Sequence, residues 1–218
     1  MALQNKVAPA RRRGLADEVA DRIRDAIFSG VYAPGAQLRE VELSTALDVS
    51  RGPVREALLR LEREGLVRSA WHRGATATSL SPDDVAEIDS LRGALERLAV
   101  QQVIARASDE DIAAVERLAD RMQRITDEHE MVHCDIAFHD AVYAAGHHRR
   151  LQDAWHAIRS QVHLFLLTRV GVSTEGYLQQ VADEHHELAA ALRTRDAQRA
   201  LELFASHRRH AFDVIAGG

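Results

Sequence analysis

The stretch LDVSRGPVREALLRLEREGLV, residues 47–67, decides the fold of the first part of the chain. Ser50 is well placed to cap a helix, and Pro53 is tolerated in the first turn of that helix. The apolar residues that follow fall within an arc of about 100° at 3.6 residues per turn. They are Val54, Ala57, Leu58 and Leu61. Arg51 and Arg55 lie outside the arc and close together, so the pattern predicts a helix with a buried face and an exposed basic N-terminal end.

Short elements on both sides complete a small domain. Residues 15–30 carry apolar side chains at three- and four-residue spacing, which predicts an amphipathic helix. Residues 41–47 predict a second, shorter helix. The segment LVRSAWHRGATATSL, residues 66–80, alternates in part and turns around Arg73 and Gly74, which predicts a two-stranded wing.

Two short helices, a three-residue turn and a basic helix end are the features of a helix-turn-helix, whose second helix enters the DNA major groove. Arginine suits this end because its planar fork can bond guanine O6 and N7 together. The alternative is that Arg51 and Arg55 are solvated surface residues paired with a neighbour such as Glu56. The agreement of turn, cap, glycine stop and wing favours DNA binding.

Charge divides the chain into two parts. Of its 218 residues, 46% are hydrophobic and 28% charged, which is typical of globular proteins. Residues 1–80 hold 13 Lys and Arg against 10 Asp and Glu, a net +3, and the rest hold 15 against 23, a net −8. Eleven of the twelve histidines lie in the second part. This asymmetry predicts two modules with different partners.

Three observations bear on location. No apolar run approaches the roughly 20 residues needed to cross a bilayer. Cys134 stands alone and can form no internal disulfide, and no hydrophobic segment follows the basic residues at 6 and 11–13. We therefore expect a cytoplasmic protein with no membrane partner, in which residues 1–13 form a flexible basic arm.

The sequence of the second module predicts helices along almost its whole length. Ser81 is a candidate cap, and Pro82 occupies the first helical position. The predicted helices cover residues 83–106, 109–128, 131–145, 149–170, 174–193 and 196–215. No alternating strand pattern intervenes, so the predicted fold is mainly α, with a winged helix-turn-helix over residues 14–79 and an all-helical bundle over residues 80–218.

One aspartate and three histidines are candidate metal ligands. The sequence DIAFH places Asp135 and His139 at i and i+4, on one helix face. His185 lies nine residues before the turn at 194–196 and His207 eleven after it, so an antiparallel hairpin would bring both imidazoles to a similar level. This donor set suits a divalent cation such as zinc, with nickel or manganese as alternatives. The competing interpretation is that these are ordinary surface or core histidines.

The stretch GAQLREVELSTALDVSRGPVREALLRLEREGLV, residues 35–67, with RGA at 73–75, closely resembles the DNA-binding domain of GntR-type bacterial transcription regulators. The resemblance implies a winged helix-turn-helix that binds a palindromic DNA operator as a homodimer. Position by position, it assigns DNA binding to Ser50, Arg51, Gly52, Pro53 and Arg55, and to Arg73 and Gly74 at the wing tip. Members of the FadR branch can carry a further DNA-contacting arginine where this chain has Val41, and Arg39 is a candidate substitute.

Residues 82–216 look like the FCD ligand-binding domain of the FadR branch, through LRGALE, DIAFH, EHHELAAALRTRDAQRA and a terminal SH. In that family an Asp-x-x-x-His pair and two later histidines bind a metal, which implies Asp135, His139, His185 and His207 here. Arg92 matches an arginine that many relatives direct towards the cavity, which implies that it pairs with an effector carboxylate. A salt bridge to Glu96 at i+4 is the alternative. Where members often have SGN, this chain has GHH at 146–148.

Together the modules predict a one-component transcription regulator and no enzyme. A small carboxylate metabolite would bind at the metal site and change the spacing of two DNA-binding domains in the dimer. A rival is a helical metal-dependent phosphohydrolase, suggested by the HD dipeptide His139–Asp140, which would need further His and Asp ligands. A third possibility keeps the DNA-binding module but treats the histidine cluster as a structural metal site or an empty pocket.

Overall fold

The computed structural model describes residues 14–70, 74–170 and 176–216, with side chains up to residue 212. The described residues form nine helices and one two-stranded sheet in two compact units, one holding α1 to β2 and the other α4 to α9. In chain order the elements are α1 (Leu15–Phe28), α2 (Glu40–Ala46), α3 (Arg51–Arg63), β1 (Val67–Ala70), β2 (Gly74–Ala77), α4 (Pro82–Arg106), α5 (Asp109–Met122), α6 (Glu128–Ala145), α7 (Arg149–Val170), α8 (Tyr177–Thr194) and α9 (Ala197–Ala216).

Helices α1 and α3 pack against each other and form the core of the first unit. The whole predicted apolar arc of α3 is buried, which confirms its orientation. The connection between α2 and α3 is as tight as predicted, with Asp48 in the left-handed region at φ 52° and Val49 N donating to Ser44 O at 3.0 Å. Helix α3 begins at Arg51 directly after this turn, and both Arg51 and Arg55 are exposed at its N-terminal end.

The predicted wing is present as an antiparallel pair. Strands β1 and β2 align Val67 with Ala77 and Ala70 with Gly74. Gly74 has φ 73°, a conformation that a residue with a side chain rarely adopts. Residues 71–73 lie outside the described part of the chain, and they include Arg73, the residue predicted at the wing tip.

The second unit is all-helical over its described residues, as predicted. The predicted start of α4 is confirmed by a capping box, in which the Ser81 side chain accepts from Asp84 N while Asp84 accepts from Ser81 N. Ser108 and Asp111 repeat the same arrangement at the start of α5. No helix among the described residues is both long and apolar enough to cross a membrane.

The prediction of one helix over residues 109–128 was wrong. Helix α5 ends at Met122, and Ile125 N then donates to Met122 O at 3.1 Å in a turn that buries the Ile125 side chain. Asp127 caps the next helix by accepting from Glu130 N at 2.8 Å, so α6 begins at Glu128, three residues before the predicted start. The predicted start of α8 at residue 174 lies outside the described residues, and α8 is described from Tyr177 onward.

The packing of four helices creates the interior in which the candidate site lies. Helix α6 contacts α4, α5 and α7, and more than half of its side chains are buried. Helix α8 contacts α5 and α9, and α9 also contacts α4 and α7. One face each of α4, α6, α8 and α9 therefore borders the same buried region.

Candidate metal centre and DNA-reading surface

Four predicted metal ligands converge in the second unit. Asp135 and His139 come from α6, His185 from α8 and His207 from α9, and one ligand atom of each lies within 4.8 Å of the others. All four are buried, with relative exposures of 5% or less. The i, i+4 spacing on α6 and the hairpin of α8 and α9 thus bring these donors together.

His185 is oriented by the backbone of its own helix. Its Nδ1 lies 2.7 Å from Val181 O, and because a carbonyl only accepts, Nδ1 carries the proton. The other nitrogen, Nε2, lies 3.4 Å from Oδ2 of Asp135. His185 therefore presents an unprotonated nitrogen to the centre of the cluster.

His139 lies between a carboxylate and a guanidinium. Its Nε2 is 3.6 Å from Oδ1 of Asp135 and 2.8 Å from Nη2 of Arg92. Arg92 also donates from Nε to Oε1 of Glu96 at 3.0 Å, and both of these side chains are buried. The salt bridge to Glu96, given above as the alternative to an effector contact, is therefore present, and Arg92 also lies beside the predicted metal site.

His207 is held by a carboxylate. Its Nδ1 donates to Oε2 of Glu184 at 2.8 Å, and His210 Nδ1 donates to Oε1 of the same residue at 2.7 Å. Burial alone would raise the pKa of Glu184, but the hydrogen bonds from the two imidazoles lower it to about 2.

The environment keeps two of the imidazoles neutral. Burial, followed by the positive charge of Arg92 and the neighbouring histidines, holds the pKa of His139 well below its ordinary value. Burial lowers the pKa of His185 to about 4 and outweighs the opposite effect of Asp135. Metal ligation requires the neutral imidazole, so at neutral pH neither histidine has to lose a proton before it binds a cation.

The donor set fits a metal ion. Oδ1 of Asp135 and Nε2 of His185 are buried and have no hydrogen-bond partner among the described residues. An unsatisfied buried polar atom costs about 1–3 kcal/mol, and a cation held between these atoms would satisfy both. The four residues can therefore hold a metal ion, with three nitrogen donors and one carboxylate.

Further buried polar groups lie on the α4 side of the cluster. Oε2 of Glu96 and the hydroxyl of Tyr143 have no hydrogen-bond partner among the described residues. Tyr143 stacks on Trp155 with ring centroids 4.6 Å apart, and burial raises its pKa far above the usual range. A polar ligand entering this region would find acceptor and donor atoms not yet satisfied by the protein.

The HD dipeptide does not provide a second metal ligand. Trp155 Nε1 donates to Oδ1 of Asp140 at 2.7 Å, and Arg159 donates to both carboxylate oxygens at 2.7–2.9 Å. Among the described residues, Asp140 is not part of the group of converging metal donors. This carboxylate ties α6 to α7, and the phosphohydrolase interpretation loses the residue on which it rested.

In the first unit, both predicted DNA-reading arginines contact one carboxylate. Arg51 Nη2 and Arg55 Nη2 each lie 2.9 Å from Oε2 of Glu40, and Arg55 Nε lies 3.1 Å from Oε1. The side chains of Arg51 and Arg55 stay 59% and 61% exposed. Hydrogen bonds from Arg55 and then Arg51 lower the pKa of Glu40 to about 2, so the carboxylate is ionised at neutral pH. The pair is thus exposed and also held in place.

These arginines border a groove of about 680 Å³ that also includes Gly74 of the wing. Ser50 and Gly52 are exposed, and Pro53 is half-buried in the first turn of α3. The predicted DNA-binding residues that the structure describes therefore lie on or beside one open surface.

The position that departs from the FadR pattern is solvent-exposed. Val41 is 59% exposed on α2, and Arg39 pairs with Glu42 at 2.8 Å. Arg39 thus lies at the start of α2, next to the groove that its own side chain helps to line.

Three acidic residues that contact the predicted site residues were not identified from the sequence as part of a site. Glu40, Glu96 and Glu184 each contact a predicted site residue. For Glu96 the i+4 spacing to Arg92 was a usable signal. Glu184 directly precedes a predicted ligand, but adjacent helical residues point in different directions, and Glu40 is separated from Arg55 by 15 residues.

The comparisons with known proteins agree with both units. Residues 15–76 match the family described as bacterial regulatory proteins, gntR family, and residues 87–210 match the FCD domain. The HTH-type transcriptional repressor GlaR of Escherichia coli (strain K12) is 31% identical over 197 residues, covering 85% of this chain and 88% of that protein. An uncharacterized HTH-type transcriptional regulator, YdhC of Bacillus subtilis (strain 168), is 26% identical over 194 residues, covering 87% and 86%.

A solved structure shares the fold. The chain of E. coli McbR/YncC superposes with a TM-score of 0.82 at 22% identity, covering 94% of this chain and 99% of that one. The FCD match extends over more than half of the 218 residues. The chain therefore belongs to the GntR family of bacterial transcription regulators, with a DNA-binding winged helix-turn-helix followed by a C-terminal FCD domain.

Proposed function

We propose that this regulator is a metal-dependent sensor of a small carboxylate, which it converts into a change in operator affinity. The observation that carries the proposal is the buried cluster of one aspartate and three histidines with the Arg92 guanidinium 2.8 Å from His139. A cation site and a fixed positive side chain are together suited to an anionic ligand with oxygen donors.

On DNA, Arg51 and Arg55 are proposed to read base edges in the major groove. Arginine bonds guanine with two parallel hydrogen bonds, and orientation by Glu40 reduces the conformational entropy lost on binding. A palindromic operator follows from a homodimer that presents two such helices to half-sites about one or more turns apart.

Zinc is the metal we propose for the site. Three imidazoles and one carboxylate are all within the range of zinc ligands. Nickel and manganese bind the same kinds of donor atom but usually take more ligands than zinc. They are the alternatives that metal analysis must exclude. When bound, the metal would supply a Lewis-acidic coordination position beside Arg92.

Arg92 favours an anionic head group on the effector. Its side chain is buried and lies 2.8 Å from His139, one of the proposed metal ligands. A cation held by the cluster would add positive charge beside it, so both could attract a carboxylate.

Effector binding is proposed to alter the distance or orientation between the two DNA-binding domains of the dimer. A ligand shifts such an equilibrium only by binding the two arrangements unequally. One relative, GlaR, is named a repressor, and we propose that this chain also represses transcription. The effector would then release the operator.

The test uses the full chain and an operator selected in vitro from random duplexes. Operator affinity is measured by fluorescence anisotropy with zinc-loaded protein and a panel of monocarboxylic and dicarboxylic acids. We expect at least one acid to weaken operator binding in the wild type and none to do so in Asp135→Asn. Asp153→Asn, an exposed carboxylate on α7, is the matched control. If no acid changes operator affinity, the sensor proposal is wrong.

The same experiment separates sensing from a structural metal site. If zinc is present and its loss lowers thermal stability, but the effector response survives in Asp135→Asn, the metal only stabilises the fold. Elemental analysis of protein purified without added metal or chelator identifies the cation.

A further inference from the structure

His207 differs from the other two imidazoles of the cluster in what holds its second nitrogen. His185 donates to a main-chain carbonyl, and Nδ1 of His139 lies 3.4 Å from Oε1 of Glu96 without forming a hydrogen bond. Only His207 of the three donates to a carboxylate, Glu184, in the part of the chain that the structure describes. We propose that Glu184 is a positioning residue that sets the metal affinity of the site through His207.

The hydrogen bond selects one tautomer of His207. A carboxylate can only accept, so Nδ1 of His207 carries the proton and Nε2 keeps its lone pair. The negative charge of Glu184 also makes the imidazole a stronger donor to a cation. Such outer partners change metal affinity by about 10- to 100-fold in other metal sites.

Glu184 is itself held in a fixed orientation. His210 Nδ1 donates to Oε1 at 2.7 Å, and the Gln180 amide donates to the same oxygen at 3.2 Å. Oε2 is left for His207. With both oxygens occupied, Glu184 has little freedom to rotate away from the imidazole, so the support it gives does not depend on a mobile side chain.

The position of Glu184 limits the expected effect to a weakening of the site. Its side chain is 23% exposed and borders a shallow groove of about 90 Å³ together with His207 and His210. Water entering this groove could accept the Nδ1 proton after Glu184 is removed, as ordered water often does for a lost partner. The four ligands would all remain, but His207 would be less basic and less well oriented.

The inference rests on the metal site of the proposed function, and the experiment reports on each separately. Zn²⁺ affinity of the full chain is measured by competition with a chromophoric chelator for wild type, Glu184→Ala and Glu184→Gln. We expect Glu184→Ala to bind Zn²⁺ about 10- to 100-fold more weakly. Glu184→Gln should fall between, because its amide oxygen still accepts the hydrogen bond without the charge.

Glu187→Ala is the matched control, because Glu187 is exposed in the same groove one turn later on α8. It should bind Zn²⁺ as the wild type does. The visible absorption bands of Co²⁺-loaded protein should shift in Glu184→Ala and stay unchanged in Glu187→Ala, since they report the ligand geometry around the ion.

Unchanged Zn²⁺ affinity and Co²⁺ spectra in both Glu184 variants would overturn the inference and leave the metal site intact. A thermal melting temperature lowered equally with and without Zn²⁺, at unchanged affinity, would assign Glu184 to helix packing alone. If Glu184→Ala does not fold, the intermediate affinity expected of Glu184→Gln decides. Absence of Zn²⁺ and Co²⁺ binding in the wild type would instead refute the proposed metal site itself.

Discussion

Nη2 of Arg92 lies 2.8 Å from Nε2 of His139, joining α4 to α6 beside the candidate metal site. A guanidinium only donates, so Nε2 of His139 accepts this hydrogen bond with its lone pair. The same lone pair faces Asp135 and is the one that a metal would use. A cation and Arg92 therefore compete for one nitrogen, and metal binding should make the guanidinium available to an incoming anion.

Replacing Arg92 should separate metal binding from effector binding. In Arg92→Gln, Zn²⁺ affinity should stay equal to or above that of the wild type, because a competitor for His139 is lost. Affinity for the carboxylate effector should fall about 10- to 100-fold, the range for a hydrogen bond between charged groups. Isothermal titration with Zn²⁺ and then with the acid measures both. Arg97→Gln, an exposed residue on the same helix, is the control, and equal acid affinity in both variants would contradict the role of Arg92.

The two arginines of α3 should account for sequence-specific DNA binding. Arg51→Ala and Arg55→Ala should each weaken operator binding by about 1–3 kcal/mol, the usual value of a bidentate contact to guanine. Binding to random DNA should weaken less, since it depends on the total charge that meets phosphate. Arg63→Ala removes the same charge from the other, also exposed, end of α3. If it reduced operator affinity as much as Arg51→Ala, base reading by Arg51 would be refuted.

Glu40 should contribute to specificity while opposing DNA binding in general. Its carboxylate is ionised at neutral pH and would lie near phosphate, so Glu40→Gln should bind random DNA more tightly. The ratio of operator to random-DNA affinity should fall several-fold, because Arg51 and Arg55 lose the charge that orients them. Fluorescence anisotropy at two salt concentrations measures both affinities. Glu18→Gln, a change of equal charge on α1, should leave the ratio unaltered, and a ratio maintained in Glu40→Gln would show that the arginines need no such support.

His163 on α7 should make stability depend on pH. Burial, followed by the charges of His133 and Arg159, lowers its pKa from 6.5 to about 3. Between these values the unfolded state binds a proton that the folded state does not. The free energy of unfolding therefore falls as pH falls through this window, by about 1.4 kcal/mol per pH unit from this group.

His163→Gln should reduce that slope, whatever its effect on stability at neutral pH. Urea unfolding of chelator-treated protein at several pH values between 4 and 7 measures the slope. His156→Gln, an exposed histidine on the same helix, controls for the loss of a surface histidine. Equal slopes in His163→Gln and the wild type would mean that His163 takes up its proton in the folded state as well.

The particular successes and failures of the sequence analysis have a common cause. The apolar arc of α3 and the cap at Ser81 were predicted correctly because each depends on residues within one or two helical turns. The end of α5 at Met122 was not predicted, because the helical periodicity of the sequence continues beyond it. Asp127 caps a new helix there. The GntR and FCD resemblance was confirmed because its motifs are long and specific.

The sequence by itself determined the helices, the basic end of α3 and the pairing of Asp135 with His139, because helical geometry relates residues a few positions apart. Only the tertiary structure decided which side chains distant in sequence contact the predicted site residues. Glu40 meets Arg55 across 15 positions, Arg92 meets His139 across 47, and His207 meets Glu184 across 23. Such contacts depend on how one helix packs against another, and no local periodicity encodes that packing.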